Sequence, residues 1–123
     1  MPTTTAGNKA KGRRLQQWVA KTMLSLSSLS SDDVVSRPMG SNGEDLMLSA
    51  AAREVFPLSI ECANQERLNL WTKYKQAKSN APEGTLATVI AKKNGERPVA
   101  IVDAEAFLHI VYEVFRVQGR GLP

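Results

Sequence analysis

Two β-branched runs, residues 85–92 and 98–102, flank the dipeptide Asn94-Gly95. Asn-Gly between such runs is the strongest short-range signal for a β-hairpin, because both central positions of the tight turn need positive φ. The chain must therefore build a sheet, and the remaining sequence has to cover it. At 123 residues it has the material to do so: a domain of this size buries roughly two thirds of its unfolded surface. With 42% apolar and 23% charged residues the composition is that of an ordinary globular domain, which excludes a wholly disordered chain and a disulfide scaffold. No uncharged run approaches the ~20 apolar residues of a membrane-spanning helix. No basic start leads into an apolar stretch, as a secretory signal requires. The single Cys62 has no internal disulfide partner, which points to a reducing, cytoplasmic compartment.

The net charge of +4 is modest, but it is unevenly placed. Lys9, Lys11, Arg13 and Arg14 come before any acidic residue. A second basic stretch runs through Arg67, Lys73, Lys75, Lys78, Lys92, Lys93 and Arg97, diluted only by Glu83 and Glu96. The acids gather between Asp32 and Glu66. Carboxylates between two basic flanks suit a polyanion held over a metal site. Solubilising surface charge describes the same pattern equally well.

Residues 1–10 are small and polar and read as a flexible, basic-leading arm. Residues 11–117 read as one domain and 118–123 as a loose tail. Leu15, Trp18, Val19, Thr22, Met23 and Leu26 recur at helical spacing, which predicts an amphipathic helix from residue 13 to about 28. Residues 33–37 form a short strand stopped by Pro38, residues 39–43 a turn, and residues 45–48 a second strand. Ser49 caps one helical turn, and Pro57 breaks it. Residues 58–63 alternate Leu58, Ile60 and Cys62 with Ser59, Glu61 and Ala63, the pattern of a half-buried strand with Glu61 on its open side. A polar helix follows from Asn64 to about Asn80, anchored by Leu68 and Trp71. After the hairpin, residues 104–115 close the chain as a helix with Phe107, Leu108, Val111 and Phe115 inward. The expected fold is mixed α/β in the order αβββαββα, with one mixed central sheet flanked by helices.

If the strands of Asp45 and Glu61 pair antiparallel, their carboxylates converge on one sheet edge. Two hard oxygen ligands suit Mg²⁺ or Mn²⁺, completed by waters and substrate phosphate. Such an ion acidifies a bound water and screens charge building on a phosphodiester. Two solvated surface carboxylates give the same spacing. The residues that follow, Asn64, Gln65, Arg67, Asn69, Lys73 and Lys75, set donors beside the carboxylates, and these types make most protein contacts to DNA phosphate and sugar. Arg37, Ser41 and Asn42 lie on a loop where Gly40 and Gly43 let backbone N–H groups approach a phosphate. Lys11, Arg13 and Arg14 extend the basic surface.

The string Asp33-Val34-Val35-Ser36-Arg37, then Gly40-Ser41 with Gly43, then Asp45, then Ile60-Glu61-Cys62 with Asn64 resembles the PD-(D/E)xK nuclease superfamily. Within it, the likeness is to archaeal-type Holliday junction resolvases and related small phage endonucleases. It covers roughly residues 11–103 and implies a restriction-endonuclease-like core and a Mg²⁺-dependent DNA endonuclease, with branched or structured DNA favoured. By this resemblance Asp45 and Glu61 are metal ligands, the Cys62 backbone carbonyl is a third, and Gln16 stands where the resolvase pattern has a glutamate, able to hold a metal-bound water. The motif lysine belongs at position 63, where this chain has Ala63. That departure implies an inactivated form, made so or naturally so, that Ala63→Lys would awaken. It leaves Gln65 as a nearby polar substitute. The alternative is a non-catalytic DNA-binding module that keeps the nuclease fold. Cutting two strands calls for two copies of a one-site subunit, and the apolar Phe107, Val111, Tyr112 and Phe115 mark the last helix as the homodimer contact. His109, Trp18 and Trp71 read as core residues, and no aromatic stacking platform is evident.

Overall fold

The computed structural model describes residues 5–38 and 42–119, with side chains from Gly7 onward. The first helix, α1 (Thr5–Ser25), starts well upstream of the predicted residue 13. Lys9, Ala10 and Lys11 are good helix formers and carry it into what reads by composition as an arm. It ends in a serine-rich turn, where the hydroxyls of Ser25 and Ser27 donate to the carbonyls of Thr22 and Met23 (both 2.8 Å). Those bonds satisfy carbonyls that the helix end would otherwise orphan. Leu15, Val19 and Met23 face the core as expected, but Trp18 is 43% exposed and Leu26, past the last turn, is more so.

A single 3₁₀ turn (Ser31–Asp33) leads into β1 (Val34–Ser36). After the loop come β2 (Leu46–Leu48) and the short helix α2 (Ala50–Val55), where Ser49 accepts from the Ala52 N–H as the predicted cap. Asp33 ties these pieces together, accepting from the Ser49 hydroxyl (2.7 Å) and the Ser30 N–H (2.9 Å). Those bonds, Ser49 first, hold its carboxyl below the ordinary range.

The remaining elements are β3 (Leu58–Asn64), α3 (Leu70–Asn80), β4 (Leu86–Lys92), β5 (Val99–Ile101) and α4 (Ala104–Gln118). The order αβββαββα holds apart from the added α2. The expected single central sheet does not. Among the described residues the strands form two sheets: an antiparallel β1–β2 pair, and a mixed sheet β3-β4-β5. Within the second, β3 and β4 are parallel (Leu58↔Leu86 to Asn64↔Lys92), and β4 and β5 form the antiparallel hairpin predicted at Asn94-Gly95, with Gly95 at φ +79°. Asp45 is where the two sheets touch. Its N–H donates to the Ile60 carbonyl (2.9 Å), but the next donor along β3, the Cys62 N–H, goes to the Asp45 side chain instead of to backbone. A side chain in place of a ladder bond is why the sheets do not merge there.

Both faces of β3 are covered, correcting the expectation of a half-buried strand with Glu61 on an open side. Ile60 and Cys62 pack with Leu15, Val19 and Met23 of α1. Ala63 packs with Ala77 of α3 and with Ala87, Val89 and Ala91 of β4. Burial on both faces is usual for parallel strands covered by helices, and the small side chains let α3 lie close.

α3 begins at Leu70, six residues after the predicted start. Past β3 the chain still follows β4, with the Gln65 N–H on the Lys92 carbonyl (3.0 Å), and only at Asn69 does a side chain cap a helix, accepting from the Thr72 N–H (3.1 Å). Leu68 and Tyr74 pack against the second core cluster, whereas Trp71 is 71% exposed. α4 is capped by Asp103 and stopped by Gly119 at φ +67°, three residues beyond the predicted end. The expectation that Phe107 and Leu108 point inward is wrong: both are exposed, no residue of α4 is fully buried, and Val111 and Phe115 are half-buried. His109 is exposed too, 3.9 Å from Glu105 one turn away, so it is no core histidine.

Candidate functional site

Asp45 and Glu61 do come together, although not by strand pairing. In a strand the N–H and C=O of one residue face the same edge. Ile60 and Cys62 therefore present their backbone groups toward Asp45, away from β4. The Cys62 N–H donates to Asp45 Oδ2 (2.6 Å), and the Cys62 carbonyl faces the same edge.

Glu61 is 1% exposed, and its carboxylate is met by two residues of α3. Asn80 Nδ2 donates to Oε1 (2.7 Å), and Lys73 Nζ lies 3.8 Å from Oε2. Burial pushes the Glu61 carboxyl above its ordinary value, and the Asp45 carboxylate adds to the rise. The Asn80 hydrogen bond and the Lys73 ammonium oppose it. Desolvated Glu61 and half-buried Asp45 stand close enough to raise the Glu61 pKa, and two such carboxylates favour a cation between them.

The residues present fit a hard divalent ion. The donors are two carboxylate groups, the backbone carbonyl of Cys62 and solvent, which is how Mg²⁺ is usually held. Among the described residues there is no cluster of three or more His, Cys, Asp or Glu side chains placed to hold a metal, so a softer, all-side-chain site has no ligand set here. Burial, with Asp45 and Glu61 nearby, drives the Cys62 thiol well above its usual range, so the neutral thiol is inert as a nucleophile. Gln16 is buried, and its Oε1 accepts from the Ser36 hydroxyl (2.5 Å). Ser36 pairs with Leu46, the neighbour of Asp45, so Gln16 is tied to the strand pair that carries Asp45.

Position 63 is tight. The Ala63 methyl is 2% exposed beneath α3 and shares the Glu61 face of the strand. Lys73 instead brings an ammonium to that face from the helix opposite. Lys73, expected among the donors beside the carboxylates, lies 3.8 Å from the buried Glu61 carboxylate. The signal was present in the sequence: Lys73, Ala77 and Asn80 stand at i, i+4 and i+7, one stripe of a helix. Gln65 is not brought to the carboxylates. Four residues along an extended strand is about 13 Å, and Gln65 lines a separate groove with Glu66, Lys93 and Arg97.

The other expected DNA contacts divide. Arg13, Arg14, Asn42, Arg67 and Lys75 are exposed. Lys11 and Asn64 meet at a cleft, where Asn64 Nδ2 donates to the Lys11 carbonyl (3.2 Å). Arg37 is occupied: its Nε donates to the Glu44 carbonyl (2.5 Å) and its guanidinium packs over Gly43, where a Cβ would come within 3.1 Å of it. It braces the loop before Asp45. Glu44 is itself paired with Arg53, whose Nη1 donates to the Leu58 carbonyl (2.7 Å). Ser41 lies outside the described residues.

A test of the carboxylate pair follows from the Glu61 shift. With its folded-state pKa above the unfolded value, the folded chain holds the proton more tightly, so stability falls as pH rises from the ordinary carboxylate range through the raised pKa. A divalent ion that replaces the proton reverses the loss. Thermal melts of the metal-free protein are expected to show a lower Tm at pH 8 than at pH 5 relative to Glu61→Gln, and Mn²⁺ is expected to raise Tm more at pH 8 than at pH 5. Parallel pH profiles for the two proteins would rule out the strained pair.

No family model, curated protein or solved structure matches the chain. Among the described residues, no helix is long and apolar enough to cross a membrane.

Proposed function

We propose that this chain is a divalent-metal-dependent DNA endonuclease with a restriction-endonuclease-like core, in which Lys73 takes the part that position 63 cannot. The observation that carries the reading is half-buried Asp45 beside fully buried Glu61, with an ammonium 3.8 Å from the second carboxylate. Asp45 and Glu61, with the Cys62 carbonyl, would hold Mg²⁺ or Mn²⁺, which when bound supplies an acidified water and neutralises phosphate charge. In the hydrolysis a water oxygen bonds to phosphorus as the opposite P–O ester bond breaks; one water proton is lost and the departing alkoxide takes one up. Lys73 offers its charge where the phosphoryl oxygens become most negative. The chain is proposed to act in the cytoplasm, where its single Cys62 stays reduced.

The exposed cations on α1, α3 and the intervening loop support DNA as the polyanion. Binding is expected to weaken steeply with salt, and replacing Arg13, Arg14 and Lys75 together should flatten the log–log slope by up to about 0.9 per lost phosphate contact. Filter binding from low to moderate salt measures this, and a slope near zero would remove the nucleic-acid reading. Binding without cleavage under any divalent ion would favour the competing reading, a non-catalytic DNA-binding module.

The subunit is proposed to work as a homodimer through α4. Phe107, Leu108, Ile110, Tyr112 and Val117 are exposed on one 15-residue helix. They are spread around the helix on both flanks of half-buried Val111 and Phe115, and apolar surface left exposed on that scale marks an interaction site; a second copy provides the second active site that two strands require. Sedimentation should give twice the 13.4 kDa subunit mass, and Leu108→Glu with Val117→Glu should return it to 13.4 kDa. A wild-type monomer at high micromolar concentration would refute the dimer.

A further inference from the structure

A second site lies about 10 Å along β3 from Glu61, at the carboxyl ends of the two parallel strands. Asn64 ends β3 and Lys92 ends β4, and α1 crosses beside them. The cleft between them has a volume of about 310 Å³ and is lined by Lys11, Arg14, Trp18, Asn64, Lys92 and Asn94, together with two apolar residues. Crevices outside the carboxyl ends of parallel strands are where open α/β sheets bind ligands. No acidic residue lines this one.

Trp18 sets its chemistry. Its neighbours on the helix, Leu15 and Val19, are in the core, yet the indole is left 43% exposed on the cleft wall. Around it stand three cations and the side-chain amides of Asn64 and Asn94. An indole and three cations lining one cleft, with the Lys92 ammonium also donating to the Lys93 carbonyl (3.1 Å), match a ligand with a flat ring and a phosphate, and stacking on an indole accepts any base. The ends of the sheet and α1 are fixed to each other by the Asn64–Lys11 hydrogen bond, so the cleft is part of the folded framework.

We propose that this cleft seats an unpaired nucleotide of single-stranded DNA, with its base stacked on Trp18 and its phosphates on Lys11, Arg14 and Lys92. A paired base is stacked within its helix and cannot lie on the indole, so the cleft selects DNA with an unpaired segment. At the 3.4 Å rise per nucleotide of duplex DNA, about 10 Å is about three nucleotides, and fewer in an extended strand. The inference rests on the nuclease reading for its biological use, and it can be tested without cleavage or metal.

The test uses the full chain carrying Trp71→Phe, so that Trp18 is the sole indole, in chelator. Oligothymidylate is expected to quench Trp18 fluorescence, whereas a blunt duplex of the same length binds without quenching it. Trp18→Ala should weaken oligothymidylate binding roughly ten-fold or more, as for loss of one stacked base, Trp18→Phe should recover much of it, and duplex affinity should be unchanged. Equal quenching by duplex, or unchanged oligothymidylate affinity in Trp18→Ala, would overturn the proposal. Tighter binding of oligouridylate than of oligothymidylate would overturn its assignment to DNA. If quenching is seen and no substrate is ever cut, the cleft stands and the nuclease reading falls; if DNA is cut and Trp18 stays silent, the reverse holds.

Discussion

Lys73→Met is expected to lower metal-dependent DNA cleavage by about 10²–10³-fold, the loss seen when one preorganised donor to a developing oxyanion is removed. DNA affinity should fall far less than cleavage, because only one phosphate contact among several is lost. The substitution also leaves Glu61 without its counter-charge, so reduced cleavage alone would not separate a chemical from a structural role. The separating variant is Lys73→Met combined with Ala63→Lys. Side chains two apart on a strand share a face, so a lysine at 63 returns the ammonium to Glu61 from the strand instead of the helix. It must thread its stem past Ala77, Ala87 and Ala91, at a cost of about 1–3 kcal/mol for overpacking. Recovery of cleavage in the double variant, despite a lower Tm, is the expected result. A double variant that folds, binds metal and DNA, and stays inactive would assign Lys73 to structure alone. If instead the parent chain is inert and Ala63→Lys alone starts cleavage, Lys73 is only a counter-ion and the chain is an inactivated form.

Asp45→Asn is expected to abolish divalent-ion binding and, with it, cleavage. Asp45 is the half-buried member of the pair, and its carboxylate is tied by a 2.6 Å bond to the Cys62 N–H. An asparagine can keep that bond through its amide oxygen, so the fold should survive while half the anionic charge of the site is lost. Calorimetric titration with Mn²⁺ should give clear heats for the parent chain and none above dilution for the variant. Equal heats would place the ion elsewhere.

Local signals carried much of the fold. Asn94-Gly95 marked the hairpin, Ser49 marked the cap of α2, and the stripe Leu15, Val19, Met23 marked the buried side of α1. Tertiary contacts decide the rest. Alternation in residues 58–63 described a strand with one open face, because alanines at 63, 77, 87 and 91 look unremarkable singly and only together let a helix cover the second face. Helical spacing places Trp18, Trp71, Phe107 and Leu108 inward, yet all four are exposed. Whether an aromatic residue on an amphipathic helix reaches the core depends on what packs opposite, which spacing within one helix does not encode. Asp45 and Glu61 were legible as a pair, but their route to each other was not. It runs through a side-chain bond to the Cys62 N–H that ends the ladder between the sheets. Lys73 is legible as a donor near the carboxylates, but its pairing with Glu61 depends on α3 lying across β3.

The central claim is that Asp45, Glu61 and Lys73 together hydrolyse a DNA phosphodiester. Its most direct test is to incubate the protein with linear duplex and four-way-junction DNA, with Mg²⁺ or Mn²⁺ and separately with chelator. Cleavage that needs the ion and is lost in Asp45→Asn, Glu61→Gln and Lys73→Met is the predicted result. Tight DNA binding with no cleavage by the parent chain in either ion would contradict it, whether or not Ala63→Lys cuts.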